Sequence, residues 1–335
     1  MSTFFRRFRG WIFLGLMALL FLEIWLGFPI KLENPDSQIT VENKTPGTEE
    51  VQQKMKGVHL VESSKGTRDW ELYADAAEGF EGKGKWQIQK VKIMFYSENK
   101  VQFTVTGKSG ELDTKTKDMK IEGDVRTVSE NGYRFESPSI QYQAGPRVLE
   151  SPGPVRMTGP SDSQGEGMVV TSNFMRGEID KSLVHLEGNV VARRRFKNGN
   201  VFGVRAGRAE FSGLHYQAHF RNQVTIEYGA LAPGRGVGPM RLESPEASFQ
   251  YKSTSNLLEF VQLKGGVKIN DAEKYATADQ VRIEPETNRI VLNGKPRVVQ
   301  GQDELMGEQI VFIDGGKKVK IEKMRARVEK DPSER

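Results

Sequence analysis

Cysteine is absent from all 335 residues. That excludes a disulfide framework, a thiolate metal site and a cysteine nucleophile, so the folded part must hold by packing and strand pairing. Histidine is scarce: His59, His185, His215 and His219 are the only four. His215 and His219 fall in a segment that reads strand–turn–strand, where that spacing does not bring ligands to one face. They read as ordinary turn or surface residues, and no metal site is expected. No H-E-x-x-H, G-x-S-x-G or P-loop pattern occurs. Gly234-Arg235-Gly236-Val237-Gly238 is glycine-rich, yet no helical pattern follows it to aim a dipole at phosphate, so it reads as a long turn. The carboxylates are scattered, with no pair singled out for acid–base work. The expectation is therefore a protein with no catalytic residues and no cofactor. One-signed charge is also missing: 49 basic and 44 acidic residues leave a net charge of only +5. Both signs are interspersed, which describes a solvated surface and not a nucleic-acid footprint.

Long apolar runs are lacking too, with one exception. Trp11 to Ile30 is strongly apolar and follows a basic leader containing Arg6, Arg7 and Arg9. About 20 residues suffice to cross a ~30 Å hydrocarbon core as a helix. Lys and Arg beside a span are retained in the cytoplasm, which places the N-terminus there and the body on the other side. The rival reading is a cleaved signal peptide. Phe28-Pro29-Ile30-Lys31 lacks the small-x-small pattern of a cleavage site, so a retained single-pass anchor is expected. The divisions are a cytoplasmic leader at 1–10, a transmembrane helix at 11–30 and a polar linker at 31–56 containing Pro35, Pro46 and Gly47. Glu23 lies inside the span, about 12 Å from its outer end by helix rise. Such a group either faces a membrane partner or water, or snorkels to the interface.

From Gly57 the pattern has period two. Val91, Ile93 and Phe95 alternate with Lys92 and Met94, as in a half-buried strand, and no long helical pattern appears past the anchor. The strands repeat. Met119-Ile121-Gly123-Val125, Leu149-Gly153-Val155-Met157, Val184-Leu186-Gly188-Val190 and Val261-Leu263-Gly265-Val267-Ile269 share one form. Ile290-Leu292-Gly294-Val298 is a further copy, and Phe220-Asn222-Val224-Ile226 carries Asn where Gly is expected. A second strand recurs with each, as in Gly207-Ala209-Phe211, Pro245-Ala247-Phe249 and Ala278-Val281-Ile283, and polar turns such as Asp113 to Asp118 separate the two. Units recurring about every 30 to 43 residues are too small to bury their own apolar faces and must stack. A glycine at the same place in each strand either bends it at a corner, curling the stack into a trough, or relieves crowding in a closed sandwich. The trough is the expectation. Parity then assigns Ile121, Leu186, Phe211, Phe249, Leu263, Ile283 and Leu292 to the groove. It assigns Glu122, Glu187, Glu210, Gln250, Lys264, Arg282 and Asn293 to water.

The small-x-apolar strand, polar turn and apolar-x-apolar-x-Gly-x-Val strand resemble the OstA-type repeat of lipopolysaccharide-transport proteins. With the anchor and Trp70-Glu-Leu-Tyr-Ala-Asp-Ala-Ala77, the chain is similar to the LptC family, extended by extra OstA/LptA-like repeats. The resemblance implies an all-β, elongated, open β-jellyroll behind a transmembrane helix, LptC-like over 57–190 and OstA/LptA-like over 191–330. It implies a lipopolysaccharide-export bridge component anchored in the inner membrane with its body in the periplasm. The implied partners are lipopolysaccharide or a related lipid, the subunits of an inner-membrane ABC transporter, and a periplasmic bridge protein of the same fold. The extra repeats leave open whether a separate bridge protein docks or is partly replaced. Two further features come from the residues themselves. The alternating charged segment Val319 to Val328, with Val319 and Ile321 as its apolar positions, is expected to form a last strand with an open docking edge. Arg193-Arg194-Arg195-Phe196-Lys197 either grips lipid phosphates or is a solvated hairpin tip. An anchored protein-binding scaffold and a polysaccharide-binding module are the competing readings. Only Trp70 and Trp86 of the four Trp lie outside the anchor, and none stands in the later repeats, which weakens the sugar reading.

Overall fold

The computed structural model describes residues 51–327, apart from 65, 81–83, 231–239, 255–256, 272–273, 314–317 and 324. The expected leader, span and Glu23 lie outside them. Among the described residues no helix is long and apolar enough to cross a membrane, and every named element is a β-strand. The alternation read from sequence explains why. In β5 (Met119–Ser129), Met119, Ile121, Val125 and Thr127 are buried, whereas Lys120, Glu122, Arg126 and Val128 are exposed. Side chains of opposite character thus leave opposite faces of one strand.

An antiparallel ladder runs in chain order through β1 (Val51–Ser64), β2 (Thr67–Phe80), β3 (Lys85–Ser97), β4 (Lys100–Asp113), β5 and β6 (Arg134–Gln143). It then forks. One end of β6 takes β7 (Val148–Ser151) and then β10 (Phe174–Glu178); the other takes β8 (Val155–Thr158) and then β9 (Val169–Ser172). Both branches rejoin on β11 (Leu183–Arg195). Long strands follow: β12 (Asn200–Ser212), β13 (Gln217–Ala230), β14 (Met240–Tyr251), β15 (Leu258–Asp271) and β16 (Lys274–Glu284). A second fork sends β17 (Arg289–Asn293), β20 (Gln309–Ile313) and β21 (Lys318–Glu322) one way. It sends β18 (Arg297–Gln300), β19 (Asp303–Met306) and β22 (Arg325–Arg327) the other. The forks expose the plan: the ladder is two half-sheets, the first holding β7, β10, β17, β20 and β21, the second holding β8, β9, β18, β19 and β22. Each long strand contributes one end to each, as in a jellyroll.

The bend between the ends is the corner that the repeated glycine foretold. Pairing register shifts in mid-strand at Thr106/Ser109, Glu122/Val125, Glu187/Val190, Arg221/Val224 and Lys264/Val267. At the last four of these places two successive residues have positive φ, as in Gly123 and Asp124 (82° and 49°) or Gly265 and Gly266 (92° and 85°). Gly188 and Gly294 head similar pairs, and Asn222 takes φ 69° where the repeat lacks its glycine. Asn is the residue most tolerant of that region after glycine. Space is short as well, since a Cβ on Gly123 would lie 2.9 Å from Lys108 Cβ.

Three expectations need correction. Gly153 has no positive φ; it stands between β7 and β8, where Pro152 and Pro154 lack the N–H a ladder needs, so the strand breaks there and does not bend. The strand expected to begin at 57 begins at Val51, because Gln53 to Lys56 pair with Ala76 to Gly79. The segment from Val319 is not one strand but two, β21 and β22, divided between the half-sheets.

Candidate functional site

The half-sheets enclose one apolar cluster that runs from Val58 to Ile310. Ile121, Leu186, Phe249, Leu263 and Leu292 lie in it, each no more than 1% exposed. Phe211 and Ile283 are half-buried and pack against it near their strand ends. All seven inward positions expected from parity thus share one interior. Of their polar neighbours, Glu122 and Lys264 are exposed, and Glu187, Glu210, Gln250, Arg282 and Asn293 are half-buried on the outer faces.

Register places those seven on the first half-sheet. The facing wall was not singled out from the sequence: Val105, Val125, Met157, Val170, Val190, Val204, Ile226, Leu242, Val267 and Val298, all buried. The signal existed, because Val125, Val190, Val267 and Val298 follow the corner glycine in the repeat itself. Aromatic rings meet across the interior. Phe95 and Tyr142 have centroids 4.6 Å apart, and Phe202 and Phe249 are 5.7 Å apart. Burial pushes the Tyr142 phenol up to about 12.

Opposite the corners, two rows of hairpin turns form the margins of the half-sheets. Among the described residues no strand pairing joins these margins; side chains do. Lys117 in the turn after β4 reaches Glu62 of β1 at 3.6 Å. Arg147, in the turn after β6, donates to Asp69 at 2.7 Å and Asp180 at 2.9 Å, and also to the Tyr96 carbonyl. Lys117 with Glu62, and Arg147 with Asp69 and with Tyr96, each join the second half-sheet of one strand to the first half-sheet of a later one, whereas Asp180, in the turn after β10, shares the first half-sheet's margin with Arg147. Phe95 with Tyr142 and Phe202 with Phe249 follow the same rule, an offset of two to four strands.

The basic run Arg193 to Lys197 sits where β11 turns into β12. Arg193 and Arg195 are exposed, but Arg194 shares the inward parity of the buried Val190 and Ala192. A five-residue charged run hid that inward position. At the ladder's far end Val319 is 44% exposed, Ile321 packs on the cluster, and β21 pairs with β20. His185 lies between Glu178 and Glu210 at 3.3 and 3.4 Å, and His219 contacts Ser248 at 2.9 Å. Neither belongs to a metal-holding group among the described residues.

Residues 16–195 match the family described as lipopolysaccharide-assembly, LptC-related. Residues 237–314 match the family described as LptA/(LptD N-terminal domain) LPS transport protein. The crystal structure of LptH, the LptA homologous periplasmic component of the lipopolysaccharide transport device from Pseudomonas aeruginosa, is similar at 16% identity and a TM-score of 0.32. That likeness covers 38% of this chain and 95% of LptH. No curated protein matches the chain.

Proposed function

The chain belongs to the LptC-related family of lipopolysaccharide-assembly proteins, and from that premise we propose that it is a membrane-anchored periplasmic bridge segment carrying lipopolysaccharide from an inner-membrane ABC transporter toward the outer membrane. Residues 11–30 hold it in the inner membrane, with Glu23 facing a membrane partner. Residues 57–190 form the LptC-like part and 191–330 its LptA-like continuation, a division supported by the matches to 16–195 and 237–314. The acyl chains travel in the interior, with Ile121, Leu186, Phe211, Phe249, Leu263, Ile283 and Leu292 as one wall. The chain's open edge at Val319 and Ile321 docks a periplasmic bridge protein of the same fold. Carriage of this kind is non-covalent and needs no catalytic residue.

One observation carries the reading: the apolar interior is continuous from Val58 to Ile310, and one side of it is shut by side chains and not by a ladder. That side can part without breaking a backbone-to-backbone hydrogen bond. An acyl chain in water costs about 0.8 kcal/mol per exposed CH₂, and aliphatic walls remove that cost without fixing the chain in place. The test is a photoreactive residue at Phe211 or Ile283, both near the margin, compared with Glu210 and Arg282. Lipopolysaccharide adducts are expected at the inward positions alone. Equal labelling of both parities would leave the interior as an ordinary core and favour a protein-binding scaffold.

A further inference from the structure

Arg194 is a cation on an inward face, and its surroundings are those of an unfinished anion site. It follows Val190 and Ala192 along β11 and pairs across the ladder with Phe202, whose ring lies against the core. Its side chain is only 15% exposed, and its guanidinium covers the Phe196 ring with the carbon 4.9 Å from the centroid. Asp162, in the turn between β8 and β9, accepts from Nη2 at 2.5 Å. The Nε of Arg194 is buried and meets no acceptor among the described residues. Nε and Nη2 form one edge of the guanidinium, the edge that grips a phosphate or carboxylate with two parallel bonds. Asp162 occupies half of it. An unmatched buried donor is costly, and the cost is recovered when a second acceptor oxygen arrives.

Asp162 is well placed to yield. Its Oδ1 also accepts from the N–H of Gln164 at 2.8 Å and of Gly165 at 3.2 Å, so it keeps partners when Arg194 turns away. The turn itself is pinned to the β11–β12 hairpin, because Glu166 donates to the Arg195 carbonyl and Lys197 to the Gln164 carbonyl, at 3.0 and 2.9 Å. Two phenols are within electrostatic reach of Arg194, Tyr133 on its own half-sheet and Tyr251 at the margin of the other. Burial pushes both up, with Arg194 pulling back. They stay protonated and can donate. A fork with a free prong and a displaceable carboxylate thus meet at the margin of an apolar interior.

We propose that Arg194 is a docking site for a phosphate of a phosphorylated glycolipid headgroup, taken at the margin while the acyl chains occupy the interior. The proposal rests on the lipid-carrier reading above and adds where the headgroup is held. The bound phosphate replaces Asp162 on the Nη2 and Nε edge.

The full chain in detergent, titrated with bisphosphorylated lipid A and with chemically dephosphorylated lipid A, tests it. Arg194→Gln is expected to weaken the phosphorylated probe about tenfold, the scale of one lost charge-assisted pair, and to leave the dephosphorylated probe unchanged. Asp162→Asn removes the competing carboxylate and is expected to tighten the phosphorylated probe alone, which keeps the test decisive should Arg194→Gln fold poorly. If Arg194→Gln weakens both probes equally, Arg194 is only a pin for the β8–β9 turn and the proposal falls. It falls also if neither variant changes either probe, or if inorganic phosphate competes as well as the lipid. A wild-type chain that binds neither probe overturns the carrier reading and this proposal with it. Wild-type binding of both probes alike, unchanged in the variants, overturns only the Arg194 site.

Discussion

Leu263 and Lys264 are neighbours on β15 with opposite surroundings: the leucine is 0% exposed and the lysine is in water. Leu263→Asp should cost more than about 3 kcal/mol in chemical unfolding, since an unpaired carboxylate enters an apolar interior, and should abolish lipid adducts. Lys264→Asp should shift stability by less than about 0.5 kcal/mol. Titration gives a second prediction at this scale. Asp113 caps its turn by accepting from the N–H groups of Thr116 and Lys115, 2.9 and 2.8 Å away. Those bonds, the one from Thr116 foremost, hold its carboxyl below the usual carboxylate range. A depressed carboxylate stabilises fully above its unfolded pKa and loses that contribution as pH falls through the folded one. Urea midpoints of the wild type and Asp113→Ala should therefore differ at pH 7 and converge below about pH 4. The inward leucines and the turn were both legible, because alternation and turn chemistry are local. Arg194 was not, since five charged or aromatic residues in a row read as a solvated tip until the corner fixes which of them turns in.

The long strands β5, β11, β13 and β15 each need two successive backbone settings that ordinary residues resist, and the repeat supplies them. At Gly265 φ is 92°, and a Cβ would lie 2.9 Å from Pro245 Cγ. Gly265→Ala is expected to destabilise by about 1–3 kcal/mol. Asn222→Gly, which relieves a left-handed residue at 69°, should stay within about 0.5 kcal/mol of wild type. Thermal or urea unfolding of the two variants checks this: alanine tolerated at 265, or a clear loss of stability in Asn222→Gly, would overturn the corner reading. The corners were readable from spacing alone. The forks were not, because a strand broken by Pro152 and Pro154 leaves two short pieces whose partners lie on different branches. The same holds for β21 and β22. Truncation after Gly316 removes both at once, and the expected outcome is loss of binding to a bridge protein of the same fold with most of the β signal retained. A truncated chain that still captures that partner at full strength would move the docking edge to β1.

For the molecule as a whole, the anchor should be retained, and N-terminal sequencing of membrane-extracted protein should begin before residue 31. A chain starting near Lys31 would mean cleavage. Deleting residues 1–30 should release a folded, monodisperse body, because the cluster from Val58 to Ile310 lies wholly within the ladder. The number of stacked units was visible in the repeat, but how one half-sheet sits over the other was not. Arg147 and Asp69, the pair that reveals it, are 78 positions apart, and no local pattern announces such a meeting.

That offset has a consequence for how the margin opens. Because the second half-sheet of one strand meets the first half-sheet of a strand two to four places later, a margin contact ties together units that are not neighbours in the ladder, as Arg147 ties β2 and β3 to the turn after β6. The margin is thus sewn with a slanted stitch. Loosening it at one unit slackens the hold on units further along, so that side would open progressively along its length and not one unit at a time.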